Sequence, residues 1–317
     1  MKRRVLVTGA SGFAGGHLAR RLGADTGIEI FGAFDKRHPA QGVPGTHMRM
    51  RLDDHAAVRD AIKDIKPDEV YHLAAMSSPA EAAHERVGAY ASNVSAPLYL
   101  LDSLASIRQT CNVLLISSAE VYGAVSPEEN PVFEKRQPRP AGHYGASKYC
   151  MEIIARQFAA NQGMHIVVAR PFNHTGPGQS EKFAAPAFAM QIARIEAGLA
   201  EPVIRTGSLD AKRDFADVRD VTGAYPALLS KGASGEAYNV CSGTAVSIRH
   251  VLDTLLGLST VKGIRHEYDP AKMRKSENPE VFGDHSKLTA ITGWRPRIPL
   301  EKTLADLLDD CRKRVKE

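Results

Sequence analysis

The chain lacks most of the features that mark a membrane, secreted or nucleic-acid-binding protein. Only four cysteines occur among its 317 residues. Cys111, Cys150, Cys241 and Cys311 lie far apart, without the close pairing of a metal motif. They are expected to be reduced thiols of a cytoplasmic protein. Met1-Lys2-Arg3-Arg4 is basic, but the apolar stretch behind it is short and runs into glycines, which is not a signal-peptide pattern. No stretch reaches the roughly 18 consecutive apolar residues of a membrane helix, so no span is expected. Aromatics make up 6% of the chain, and Lys and Arg are scattered. A basic tract interleaved with aromatics, the mark of a nucleic-acid groove, is therefore missing. The net charge of +5 suits an anionic small molecule better than a nucleic acid. Internal repeats and low-complexity segments are also missing. What remains is an ordinary globular composition, long enough for one large or two small domains.

The rest of the chain is organised around residues 3–35. Arg4–Thr8 reads as a short buried strand. It runs into the turn Gly9-Ala10-Ser11-Gly12-Phe13-Ala14-Gly15, a helical stretch from Gly16 to Leu22, and a second strand from Ile28 to Phe34 that stops at Asp35. A strand feeding a glycine turn and a helix N-terminus makes a pyrophosphate site. Gly9 allows the sharp turn, Gly12 lets phosphates approach the backbone, and Gly15 lets the helix pack close to the strand. The spacing is G-x-x-G-x-x-G, one residue wider than the common fingerprint, but its place between two strands and ahead of an acid makes it specific. Asp35 suits ribose hydroxyls and hence NAD(H), whereas Lys36 and Arg37 can hold the extra phosphate of NADP(H). Both cofactor readings stay open.

Strand and helix then alternate. Strands are expected at 48–52 (ending at Asp53-Asp54), 69–73, 112–118 and 165–172. Asp54 is placed to cap a helix reaching about Lys63. One long helix is expected from about Glu81 to Ala105, and another from His143. This alternation predicts an α/β fold with a Rossmann-like, doubly wound parallel sheet. In such sheets ligands bind beyond the carboxyl ends of the strands. Gly9, Asp35, Asp53, Ala74 and Ser118 fall at those ends, and the small Ala74-Ala75 lets a cofactor lie against the backbone. After Phe172 the pattern breaks. A helix over 184–198, short strands near 203–206 and 213–217, a core strand at 236–241 and a terminal amphipathic helix at 300–314 read as a smaller mixed α/β lobe. The expected division is residues 1–172 with 218–245 for the dinucleotide, and 173–217 with 246–317 for a substrate, with the ligand cleft between them.

Tyr144 and Lys148 stand four apart on the helix from His143, hence on one face. A free tyrosine, with a pKa of about 10, is a poor proton carrier at neutral pH, and a neighbouring ammonium can lower that value. Ser118, at a strand end, can hydrogen-bond the reacting oxygen. Glu120 can be a base, an acceptor for substrate hydroxyls, or a solvated loop charge.

These residues, with His72-Leu73-Ala74-Ala75, Asn93-Val94, Ser117-Ser118-Ala119-Glu120-Val121-Tyr122-Gly123 and Tyr238-Asn239-Val240, resemble the extended short-chain dehydrogenase/reductases that act on nucleotide sugars. The string from Arg170 to Gln179, with Arg213-Asp214-Phe215 and Asp269-Pro270-Ala271-Lys272-Met273-Arg274, is similar to the GDP-4-keto-6-deoxy-mannose reductases, which form GDP-rhamnose. Thr175, where that group often has Ile, is a small departure. The resemblance implies reduction of a carbon-4 ketone of a GDP-6-deoxy-hexose by NADPH or NADH. Tyr144 would be the proton donor, and Lys148 would hold the nicotinamide ribose. Further cofactor contacts would come from Ser11, Phe13, Ala14, Leu73, Asn93 and Phe172, and from Asp53 near the adenine. It also implies that Arg213 and Arg274 bind the substrate diphosphate, Asn173 the phosphate or sugar, and Glu277 a ribose hydroxyl. The helices at about 81–105 and 143–161 would pair in a homodimer or larger assembly. A 4,6-dehydratase or epimerase with tightly held NAD is the alternative, with Glu120 as base, although Ala119 stands where such enzymes carry a polar partner. A non-catalytic cofactor sensor would be expected to lose the Tyr144/Lys148 pair, which is present.

Overall fold

The structure, a computed structural model, describes residues 1–35, 38, 42–107, 110–272 and 278–316. The strands are β1 (Arg3–Thr8), β2 (Ile28–Phe34), β3 (Thr46–Arg49), β4 (Glu69–His72), β5 (Asn112–Ile116), β6 (His165–Pro171), β7 (Asn173–Thr175), β8 (Val203–Thr206), β9 (Lys212–Asp217), β10 (Ala237–Val240), β11 (Ala245–Ser247), β12 (Arg265–Tyr268) and β13 (Glu280–Val281). The helices are α1 (Phe13–Leu22), α2 (His55–Ile65), α3 (Pro79–His84), α4 (Arg86–Tyr90), α5 (Ala96–Ser106), α6 (His143–Gln162), α7 (Ala184–Glu196), α8 (Val218–Lys231), α9 (Ile248–Gly257), α10 (Ser286–Thr292) and α11 (Leu300–Arg314).

Seven strands form one parallel sheet in the order β10-β6-β5-β4-β1-β2-β3. Strand order reverses between β1 and β4, and that switch point is where an open α/β sheet leaves a crevice beyond its carboxyl ends. Alternation along the strands builds a core on each face. Val5, Val7, Leu114 and Val167 pack with Tyr225 and Leu228 of α8. Leu6, Val113, Leu115 and Ile166 pack on the other face with Leu100, Leu104 and Met151 of α5 and α6. A third core gathers Ile192 of α7, Leu255 of α9 and Leu304, Leu307 and Leu308 of α11 beside a second sheet in which β9 pairs with β7, β11 and β13.

Three local expectations change. Helix α1 starts at Phe13 rather than Gly16, with Gly12 as its N-cap. The third strand is Thr46–Arg49, two residues earlier than read, because it pairs only as far as Phe34 of β2, whose carbonyl takes the Met50 amide at 2.8 Å. Asp53 therefore lies beyond the strand end rather than at it. Asp54 caps α2 as expected, accepting from the Ala57 amide at 3.1 Å. Finally, the long helix from about Glu81 is broken into α3, α4, a π turn at Ala91–Ser95 and α5. Pro97 brings no N–H to the carbonyl one turn back, and Asn93 is drawn inward by tertiary bonds, a recognised origin of a π bulge.

Candidate active site at the carboxyl ends of the central strands

The glycine turn is built for close approach. Gly9 has φ +72°, and a Cβ there would lie 2.7 Å from the Ala74 amide nitrogen. A Cβ on Gly15 would lie 2.1 Å from the Gly9 carbonyl oxygen. No side chain caps α1, so the amides of its first turn are open to an anionic ligand beside the turn. Thr8 and His72, at the ends of β1 and β4, hydrogen-bond at 2.8 Å, and the Ala74 amide donates to the Thr8 hydroxyl at 3.3 Å. These bonds tie the carboxyl ends of β1 and β4 and the start of the following loop together. Such a cradle fits a dinucleotide pyrophosphate. Gly15→Ala is expected to lower cofactor affinity at least tenfold, because the helix must retreat from the turn. Fluorescence titration with NADPH checks it, and unchanged affinity would show that the packing is not needed.

Asp35 directly follows β2 and faces Arg49 at 4.0 Å. Lys36 and Arg37, and likewise Arg274 and Glu277, lie outside the described residues. Asp53 is surface-exposed and bonded to Arg51 at 3.4 Å. Asn93 is buried and fully engaged. It accepts from the Met76 amide at 2.9 Å and donates to the Met76 carbonyl at 3.1 Å and to Ser147 Oγ at 3.0 Å. These bonds tie the loop after β4 to α6. Phe172 is buried against Tyr122 and Gly283. Asn173 begins β7 and pairs with Phe215 of β9.

Ser118 and Tyr144 meet. The Ser118 hydroxyl lies near enough to the Tyr144 phenol to favour its ionised form, and Glu120, on the short 3-10 turn Ala119–Tyr122, is close enough for its charge to act on the phenol. Ser118 also accepts from the Glu120 amide at 3.2 Å. Burial pushes the Tyr144 phenol up to about 12; the nearby Ser118 hydroxyl opposes this and the Glu120 charge adds to it. The expected lowering by Lys148 is not what these surroundings give. Lys148 Nζ donates to the Ile116 carbonyl at 2.7 Å, at the end of β5. Burial draws Lys148 down to about 8 against the opposing charge of Glu152, and the Lys148 charge reaches His72 across the strand ends. Tyr144 is thus a protonated donor, suited to quenching an alkoxide. Arg213, on β9, feels the charge of Glu120, which opposes the downward pull of burial on its guanidinium. This brings the second sheet to the same end of the large one.

The family model described as GDP-mannose 4,6 dehydratase matches residues 6–307. The chain belongs to that family. It is 37% identical, over the full length of both chains, to a GDP-6-deoxy-D-mannose reductase of Pseudomonas aeruginosa. It is 30% identical, over 92% of this chain and 91% of the other, to a GDP-6-deoxy-D-talose 4-dehydrogenase of Aggregatibacter actinomycetemcomitans. Among solved structures, that of RMD from Pseudomonas aeruginosa complexed with NADPH superposes with a TM-score of 0.88 at 35% identity, covering 99% of this chain and 100% of that one. A Thermotoga maritima UDP-glucose 4-epimerase, at 24% identity and a TM-score of 0.89 over 98% and 99% of the two chains, shares the fold.

Sequence reasoning missed a buried polar chain behind the site. Ser117, Glu152, Arg170, Tyr122 and Asn239 are joined by short hydrogen bonds. Its one legible signal was position: Glu152 stands one further turn along α6 from Lys148. The four cysteines are free thiols. Among the described residues no helix is long and apolar enough to cross a membrane, and no cluster could hold a metal ion.

Proposed function

We propose that the chain is an NAD(P)H-dependent oxidoreductase that reduces the carbon-4 ketone of GDP-4-keto-6-deoxy-D-mannose to give GDP-D-rhamnose. The observation that carries this is the 37% identity to a GDP-6-deoxy-D-mannose reductase, in a match that covers 100% of each chain. The solved NADPH complex of the Pseudomonas aeruginosa relative favours NADPH as reductant.

A bound reduced nicotinamide supplies the hydride to carbon 4. The chain's own residues do the remainder. The open amides of α1 and the glycine turn hold the pyrophosphate. Tyr144 hands its phenolic proton to the oxygen on which charge develops, and Ser118 donates a hydrogen bond to that oxygen as it becomes negative. Lys148 holds a ribose and keeps a positive charge near the phenol. Arg213, with Arg274, takes the diphosphate, for which bidentate guanidinium contacts are suited. Asn173 and Glu277 complete the nucleotide-sugar contacts. Residues 1–172 and 218–245 form the cofactor part, and 173–217 and 246–317 the substrate part.

The name of the family favours one further reading, a 4,6-dehydratase with Glu120 as base. Against it, GDP-mannose 4,6-dehydratases of Arabidopsis thaliana and Vibrio cholerae are 25–27% identical, and Ala119 offers no polar partner. Two incubations separate the readings. GDP-4-keto-6-deoxy-mannose should consume one NADPH per product, while GDP-mannose without added reduced cofactor should give no keto sugar. Keto sugar from the second incubation would establish the dehydratase.

Val87, Leu98 and Ile153 are exposed on α4, α5 and α6 at 85%, 38% and 43%. These exposed apolar side chains support a homodimer joined through those helices, and the enzyme is taken to be cytoplasmic. Light scattering at micromolar concentration should give twice the chain mass, and a monomer mass would reject the assembly.

A further inference from the structure

We propose that Glu152 is a positioning residue for this reaction, tying the strand end that carries Ser118 to the helix that carries Tyr144 and Lys148. The inference rests on the reductase reading above. Tyr144, Lys148 and Glu152 fall at successive four-residue steps of α6, so they share one face. All three are buried there, with 9%, 4% and 0% exposure. The Glu152 carboxylate accepts from Ser117 Oγ at 2.6 Å, from Arg170 Nε at 2.9 Å and from Arg170 Nη2 at 2.6 Å. Ser117 precedes Ser118 directly, and its own amide donates to Ala169 of β6 at 2.8 Å. One carboxylate therefore fixes the end of β5, the end of β6 and the catalytic helix together.

The chain of bonds continues away from the site. Arg170 donates to the Tyr122 hydroxyl at 3.0 Å, and that hydroxyl donates to Asn239 on β10 at 2.7 Å. Asn239 in turn donates to the Val132 carbonyl at 2.9 Å. The Tyr122 end closes the 3-10 turn that presents Glu120. A buried ion pair of this kind is a costly way to gain stability but a good way to fix one arrangement.

Charge supports the geometry. The groups facing Lys148 are Glu152 on its own helix, His72 at the end of β4 and the Ile116 carbonyl of β5. Those facing Glu152 are Ser117, Arg170 of β6 and Arg156 of α6, the last at 3.4 Å. Glu120 acts on Tyr144 from the 3-10 turn. Glu152 is the acid that opposes the burial of Lys148.

The test measures the Lys148 ammonium directly, by NMR titration of 15N-lysine-labelled, cofactor-free protein. In the wild-type chain its midpoint is expected near 8, where burial draws it. In Glu152→Gln it should fall by about one pH unit or more. Should that variant not fold, the Ser117→Ala arm, which leaves the Glu152–Arg170 pair intact, decides alone. In a second arm, Ser117→Ala should lower kcat about tenfold with the KM for NADPH unchanged. An unmoved lysine midpoint in the folded variant, or a Ser117→Ala enzyme with wild-type kcat, would overturn the proposal. Because the lysine titration needs no turnover, failure of the reductase reading would show instead as inactivity of the wild-type enzyme.

Discussion

Tyr144→Phe lowers turnover by about 10²–10⁴-fold and leaves NADPH affinity within about twofold, since general acid catalysis supplies a factor of that size. The phenol sits buried against Ser118, and its burial keeps the proton on. A phenylalanine ring fills the same volume but has no proton to give. The developing alkoxide must then draw its proton from elsewhere, while the glycine turn and α1, which the substitution does not touch, still bind the dinucleotide. Steady-state kinetics and a fluorescence titration on the same variant check both halves. Turnover at the wild-type rate would remove Tyr144 from the chemistry, and lost cofactor binding would make it a structural residue.

Lys148 sets the pH dependence. Its ammonium is present below about 8 and lost above it. Tyr144, pushed up to about 12, keeps its proton through that range. The kcat/KM for reduction, which reports the free enzyme, should therefore be level below about 8 and fall as pH rises through that value. In Lys148→Met the limb should vanish and kcat/KM should drop about 10²-fold, the scale of losing one preorganised charge beside the reacting oxygen. A limb that persists near 8 in Lys148→Met would assign it to another group.

The elements legible in the sequence are those that local rules decide. Ile28–Phe34 is a short, mostly buried apolar run, as a parallel strand covered on both faces should be, Val203–Thr206 is bounded by turn residues, and Leu300–Arg314 carries a clean apolar stripe. Asp54 announces a cap because an acid ahead of an apolar repeat has one good use. What failed depended on partners far away in sequence. The helix expected from about Glu81 is interrupted at Glu85 and distorted into a π turn around Asn93, whose side chain bonds Met76 and Ser147. The strand at Thr46–Arg49 is set by how far β2 can pair with it, not by its own residues. Around the site, the spacing of Tyr144 and Lys148 gave their shared face. It gave no sign that Lys148 would spend its proton on Ile116, or that burial would raise the phenol instead of lowering it. The Glu152–Arg170 pair was invisible for the same reason: helix and strand bring the two together only after the sheet has formed.

The central claim is that a hydride reaches carbon 4 of the sugar from outside the substrate. Incubation with GDP-4-keto-6-deoxy-mannose and NADPH carrying deuterium at nicotinamide carbon 4 tests this, with one face of that carbon labelled in the first preparation and the opposite face in the second. One of the two should give GDP-rhamnose bearing one deuterium at sugar carbon 4, seen by mass spectrometry and by loss of that proton signal. Product formed without deuterium from either preparation would contradict the account.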